Sequence, residues 1–157
     1  MNLITFDNII KDPISYVSDI HLHGFQDVAD GDNVFKNIQP RDANDEFAVY
    51  CRELFNGYKV AFNFVRKSPE GQKEPNFIHT DEMMGDLTCI LYLNEESPNA
   101  DGTTIYDNDE KPIFTMYSKF NRMIAFSSVL PHSRNIFENF GQGEDARLVQ
   151  VVFLKAK

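Results

Sequence analysis

The sequence predicts a mainly β chain whose helices are confined to the N-terminal third and whose strands close as a jelly roll, two sheets around a cleft. Three observations predict it. After Gly57 the chain divides into eight short apolar segments separated by Gly, Pro, Asn and Asp. Before Gly57 the apolar residues recur at helical spacing. Finally, 157 residues at 42% hydrophobic suit one domain with a full core, a helical support over about 1–57 and a jelly-roll core over about 58–157.

Residues 3–10, LITFDNII, read as a short strand. Asp12-Pro13 then supplies a cap followed by proline at the first helical position, which predicts a helix over about 13–21. His21 and His23 stand before Gly24 at its end and are expected to be solvated and unliganded. Residues 26–39, polar and carrying Gly31 and Asn33, read as an exposed loop bordering the cleft. From Pro40 to Gly57, Phe47, Tyr50, Cys51, Leu54 and Phe55 trace an amphipathic helix, with Asp42 or Asn44 as its cap. The predicted strands span about 58–65, 76–81, 87–94, 102–106, 112–117, 122–128, 131–136 and 147–154. The longest break, RKSPEGQKEP at 66–75, leads directly into His79.

Charge and composition exclude several classes of function. A net charge of −9 argues against gripping a phosphate backbone, so nucleic acid is not an expected partner. Cys51 and Cys89 form neither a disulfide framework nor a CxxC pair, and the chain shows neither a signal-peptide pattern nor an 18-residue apolar span. A cytoplasmic protein that does not engage a membrane is expected.

The chemistry is carried by His79-Thr80-Asp81. In an extended segment the side chains of His79 and Asp81 point to one side, where both can reach one metal ion, while Thr80 points away. His132 follows Pro131 after an apolar strand, and a sandwich that brings its segment beside 76–81 makes it the third ligand. Two imidazoles and one carboxylate leave one face of the ion open, the arrangement that suits iron(II) and oxygen.

The ordered set His79-Thr80-Asp81, the strand TCILYLN at 88–94, the Asp101-Gly102-Thr103 turn, His132 and Arg147 resembles the iron(II)/2-oxoglutarate-dependent dioxygenases, in particular their prolyl hydroxylase branch. The resemblance covers residues 58–154. It implies a double-stranded β-helix core, His79, Asp81 and His132 as metal ligands, and iron(II), 2-oxoglutarate and O2 as the participants. The implied reaction is oxidative decarboxylation of 2-oxoglutarate coupled to hydroxylation of an unactivated carbon, with a prolyl residue of a peptide or protein the first substrate expected and a free amino acid or other small molecule the alternative.

The cosubstrate's far carboxylate, carried into the barrel, needs a partner, and a guanidinium meets it with two parallel hydrogen bonds. Arg147 shares its strand face with Val149, Val151 and Phe153, an odd place for an unpaired arginine, and the resemblance puts the cosubstrate anchor there. Arg134, two beyond His132 and on its face, is the second candidate. By the same resemblance Tyr92 hydrogen-bonds the far carboxylate; the ordinary reading is a sheet tyrosine with its hydroxyl at the rim. Where the branch carries another tyrosine before the metal motif this chain offers Phe62 or Phe64, with Asn63 as a polar contact for substrate. From a different class, a cupin-like metal protein or a binding module that does not use 2-oxoglutarate needs no buried anion anchor.

Overall fold

The computed structural model describes residues 3–136 and 138–157. The chain runs β1 (Leu3–Asp7), α1 (Pro13–His23), β2 (Gln26–Asp30), β3 (Asn33–Pro40), α2 (Glu46–Leu54), β4 (Tyr58–Ser68), β5 (Leu87–Tyr92), β6 (Gly102–Tyr106), β7 (Pro112–Tyr117), β8 (Arg122–Ser127), β9 (His132–Arg134) and β10 (Arg147–Ala156). The described strands form two antiparallel sheets, a seven-stranded one in the order β1-β8-β5-β10-β4-β3-β2 and a three-stranded one in the order β7-β6-β9. This is the expected jelly roll, mainly β with the helices to one side.

Strand alternation divides the core into two layers. Cys89, Leu91, Met123, Ala125, Leu148, Val152 and Leu154 face the helices, where they bury Ile20, Phe47, Ala48 and Cys51. The opposite face sends Tyr92, Ile124, Phe126 and Val149 against Ile105 and Met116 of the smaller sheet. This second layer walls the cleft. Because β4, β3 and β2 extend the large sheet beyond the three strands of the small one, its inner face continues outward as Phe62, Phe64 and Arg66. At Gly102 a Cβ would lie 1.9 Å from the carbonyl oxygen of Met116 with φ at +151°, so only glycine fits the start of β6 against β7.

The N-terminal helix starts as expected, with Asp12 accepting from the Ser15 amide and Pro13 in the first turn. Several expectations are corrected. The segment 26–39 is a hairpin, β2 with β3, rather than a loop: Val28 pairs with Phe35 and Asp30 with Asn33 around Gly31, whose positive φ makes the turn that its polar composition disguised. The second helix is shorter than 40–57, and Asp45 stands at its N-cap, while Asp42 instead accepts from the Asn44 amide in the preceding turn. Segment 76–81 is not a strand; only His79 makes a bridge, with His132. Asn63 faces the helices and not the cleft, bonded to the carbonyl of Asp42 and to Gln150.

Candidate metal centre

Paired backbone amides and carbonyls bring the three sequence-predicted ligands together. His79 and His132 exchange N–H···O bonds of 3.0 and 2.9 Å, and the Asp81 amide donates to the Ser128 carbonyl at 2.9 Å. Potential ligand atoms of His79, Asp81 and His132 all lie within 4.8 Å of one another. Asp81 presents Oδ2 to His132 Nε2 at 2.9 Å and Oδ1 to His79 Nε2 at 3.5 Å. Adjacent ligands around one ion, each at about 2.1 Å and at right angles, stand about 3 Å apart, so the donor set fits a divalent cation with little movement.

Which nitrogen faces the ion is set from behind. His79 Nδ1 lies 2.9 Å from the Phe77 carbonyl and His132 Nδ1 lies 3.0 Å from that of Leu130, so each ring donates its Nδ1 proton to the backbone and keeps Nε2 for the metal. The His132 ring is further packed edge-on against Phe126. Burial pushes the Asp81 carboxyl up, but the hydrogen bonds from His132 and His79 outweigh it and hold it well below the usual carboxylate range. The Asp81 hydrogen bond raises the His79 imidazole in turn.

The structure gathers Tyr92 and Arg147 of the large sheet and Arg134 of the small one into one polar cluster. Tyr92 is buried, its hydroxyl 2.5 Å from Thr103 Oγ1, and Thr103 is the register partner of Arg134. Burial pushes the phenol up to about 12, so it stays a neutral hydrogen-bonding group. Arg147 already has a carboxylate partner within the protein: its Nε donates to Asp101 Oδ1 at 3.2 Å, both residues being buried, and its two Nη atoms donate to none of the described residues. Arg134 Nη1 donates to Asn139 Oδ1 at 2.8 Å, whereas its Nε and Nη2 are buried with no partner among the described residues. Burial and the neighbouring Arg147 charge push this guanidinium down to about 10, still protonated at neutral pH. A buried guanidinium edge without an acceptor is able to donate to an oxyanion.

Three charged residues of this cluster went unassigned in the sequence. Asp101 sits in a turn the sequence marked, yet nothing local shows that its carboxylate meets Arg147, 46 positions away. Arg66 and Glu74 lie in the segment read as a loop, although Phe62, Phe64 and Arg66 keep strict alternation and so share a face. Arg66 stands over the Phe35 ring at 5.8 Å, with Nη1 3.6 Å from Glu74.

No family model and no curated protein matches the chain. Its similarity is to solved structures. A prolyl hydroxylase from Trichoplax adhaerens, in complex with a hypoxia inducible factor oxygen degradation domain peptide fragment, matches with a TM-score of 0.69 at 14% identity, over 98% of this chain and 83% of that one. The non-heme alpha-ketoglutarate-dependent epimerase SnoN of nogalamycin biosynthesis matches at 0.70 and 11% identity, over 98% and 77% of the two chains. HygX from Streptomyces hygroscopicus, solved with nickel, 2-oxoglutarate and hygromycin B bound, matches at 0.59 and 10% identity, over 99% and 83%. In fold, the chain is a double-stranded β-helix protein of the kind found in the iron(II)/2-oxoglutarate oxygenases, prolyl hydroxylases among them.

Proposed function

We propose that this protein is an iron(II)- and 2-oxoglutarate-dependent oxygenase that hydroxylates an unactivated carbon, with a prolyl residue of a peptide or protein as its first substrate class. The observation that carries the reading is the convergence of His79 Nε2, Asp81 and His132 Nε2, both Nδ1 protons already committed to backbone carbonyls, at the mouth of a pocket holding unsatisfied arginine donors. A metal protein that does not use 2-oxoglutarate has no need of the second feature.

His79, Asp81 and His132 would hold iron(II), which when bound with 2-oxoglutarate and O2 supplies the oxidising chemistry. The chain's own part is to bind, orient and exclude water. The far carboxylate of the cosubstrate would be held by the Nε–Nη2 edge of Arg134 and the free Nη atoms of Arg147, with the Tyr92 hydroxyl as a further hydrogen-bonding group. Asp101 fixes the Arg147 guanidinium by its Nε and leaves the other donors for ligand. Ile124, Phe126 and Val149 supply the apolar wall that keeps the pocket dry.

A small-molecule substrate is the second reading, favoured by two of the similar structures, HygX with hygromycin B and SnoN from nogalamycin biosynthesis. The test of the class is anaerobic titration with iron(II) and 2-oxoglutarate, read as the weak visible charge-transfer band of the chelate. The band is expected to saturate with both components. Its absence at millimolar 2-oxoglutarate excludes the proposal and favours a cupin-like metal protein.

A further inference from the structure

Two guanidiniums share one carboxylate at the wall of the cleft. Glu74 Oε1 stands 3.6 Å from Arg66 Nη1 and 3.9 Å from Arg134 Nη1, both beyond hydrogen-bonding distance. Its Oε2 instead accepts from Asn139 Nδ2 at 2.8 Å and from Gln72 Nε2 at 3.0 Å. Neutral amides therefore hold the carboxylate in place, and the arginines supply charge without bonding it. Burial pushes the Glu74 carboxyl up, but the Arg66 charge and the hydrogen bond from Gln72 bring it below its usual range, so it is ionised at neutral pH.

Arg134 is tied to Glu74 through Asn139, whose Oδ1 accepts from Arg134 Nη1 and whose Nδ2 donates to Glu74 Oε2, both at 2.8 Å, a link that Glu74→Gln can keep through its remaining side-chain oxygen. What Glu74 adds is a negative charge beside a guanidinium whose Nε and Nη2, the side-on edge that donates to both oxygens of a carboxylate, stand buried and empty of any described partner. A second carboxylate on that edge lies across the guanidinium from Glu74, and like charges on the order of 8 Å apart in partly dry surroundings repel by the equivalent of about fivefold to thirtyfold in affinity.

From this we infer that Glu74 is a built-in competitor for the cosubstrate's far carboxylate, weakening its hold on Arg134 and so setting the cosubstrate affinity of the site. The inference rests on the 2-oxoglutarate reading above. It assigns to segment 69–78, which runs from the end of β4 into His79, a role in tuning the anion pocket as well as in delivering a metal ligand. Arg66 retains Glu74 when the ligand takes Arg134, so the displaced charge stays paired.

The sign of the effect separates competition from support. Isothermal titration of 2-oxoglutarate into manganese(II)-loaded protein compares the wild type, Glu74→Gln, and Glu70→Gln as an exposed acidic control on the same segment. Glu74→Gln is expected to bind about tenfold more tightly and Glu70→Gln within about twofold of the wild type. Equal or weaker binding by Glu74→Gln overturns the inference, since a carboxylate that builds the pocket loses affinity on removal. If Glu74→Gln does not fold, Glu74→Asp keeps the charge but draws it back from Arg134, with about threefold tighter binding expected and unchanged or weaker binding overturning it. Failure of every protein, the wild type included, to bind 2-oxoglutarate removes the hydroxylase reading along with this one, whereas wild-type binding without tightening removes only the role of Glu74.

Discussion

Truncating Arg134 to alanine tests which strand holds the cosubstrate. Its Nε and Nη2 are buried and unpartnered, and only Nη1 is bonded, to Asn139. Removing one partner of a desolvated, hydrogen-bonded charge pair costs about 2–5 kcal/mol, which is roughly a thirtyfold to several-thousandfold loss of 2-oxoglutarate affinity. The ligand-free fold should hardly notice: Arg134→Ala gives up one hydrogen bond, worth about 1 kcal/mol, and relieves two unsatisfied buried donors. Arg147→Ala is different in kind. It leaves Asp101, 2% exposed, without its guanidinium, a loss of about 3–5 kcal/mol in stability. For a domain of this size that lowers Tm by roughly 6–20 °C, apart from any loss of ligand binding. The assay pairs the anaerobic iron(II) chelate titration with thermal unfolding of the ligand-free proteins. Expected is a large rise in Kd with little change in Tm for Arg134→Ala, and a rise in Kd together with a large drop in Tm for Arg147→Ala. If Arg134→Ala binds 2-oxoglutarate within threefold of the wild type, the empty edge of Arg134 is not a carboxylate site and the anchor lies on β10 alone.

Other expectations follow from the same geometry. His79→Ala, Asp81→Ala and His132→Ala should each abolish stoichiometric iron binding with circular dichroism largely native; normal iron affinity in any of them removes that residue from the triad. Asp81→Gly, which like Asp81→Ala keeps both imidazoles, should bind metal only weakly and below stoichiometry with a sharp fall in succinate release, and unchanged release shows that Asp81 is not a ligand. Behind the sheet, burial raises the Asp45 carboxyl but hydrogen bonds from Arg41, Tyr16 and Gln150 bring it below the usual range. A depressed folded pKa contributes stability that is present above the unfolded value of about 3.9 and is lost as pH falls through the folded one. Asp45→Asn should therefore lower Tm at pH 6 and flatten its fall as the pH drops below about 4, which scanning calorimetry across the acid range reads directly. An unchanged slope in acid takes Asp45 out of the acid response.

The parts of the fold that were legible in the sequence are those whose cause is local. Pro13 after Asp12 starts a helix because the cap and the fixed φ act within one turn, and β5, β8 and β10 announce themselves because they are buried on both faces and nearly continuously apolar. The hairpin β2–β3 was hidden because it hangs off the edge of the large sheet: its outer residues Gln26, Asp27, Asp30 and Asn33 are exposed, so nothing in them distinguishes strand from loop. Segment 76–81 misled for the opposite reason. Its alternation is real, but one bridge to β9 orders it, and that bridge depends on a strand more than 50 positions later.

For the site the same divide holds between residues recognised by type and those recognised by partner. Two histidines and an aspartate at strand spacing carry their chemistry in their identity, and the fold had only to bring β9 beside them. The arginine pocket carries its chemistry in pairings across 46 positions for Asp101 with Arg147 and 65 for Glu74 with Asn139. An arginine on an apolar face reads as unpaired until its counter-ion is found. Arg147 proves to be held by its Nε alone, which orients the fork without filling it, whereas Arg134 keeps an empty edge. Desolvated donors of this kind cost free energy in the ligand-free protein and regain it only when an acceptor arrives. A fold that retains them between its sheets, with Arg134 on the same short strand as His132, leaves part of its stability to be regained when an acceptor binds.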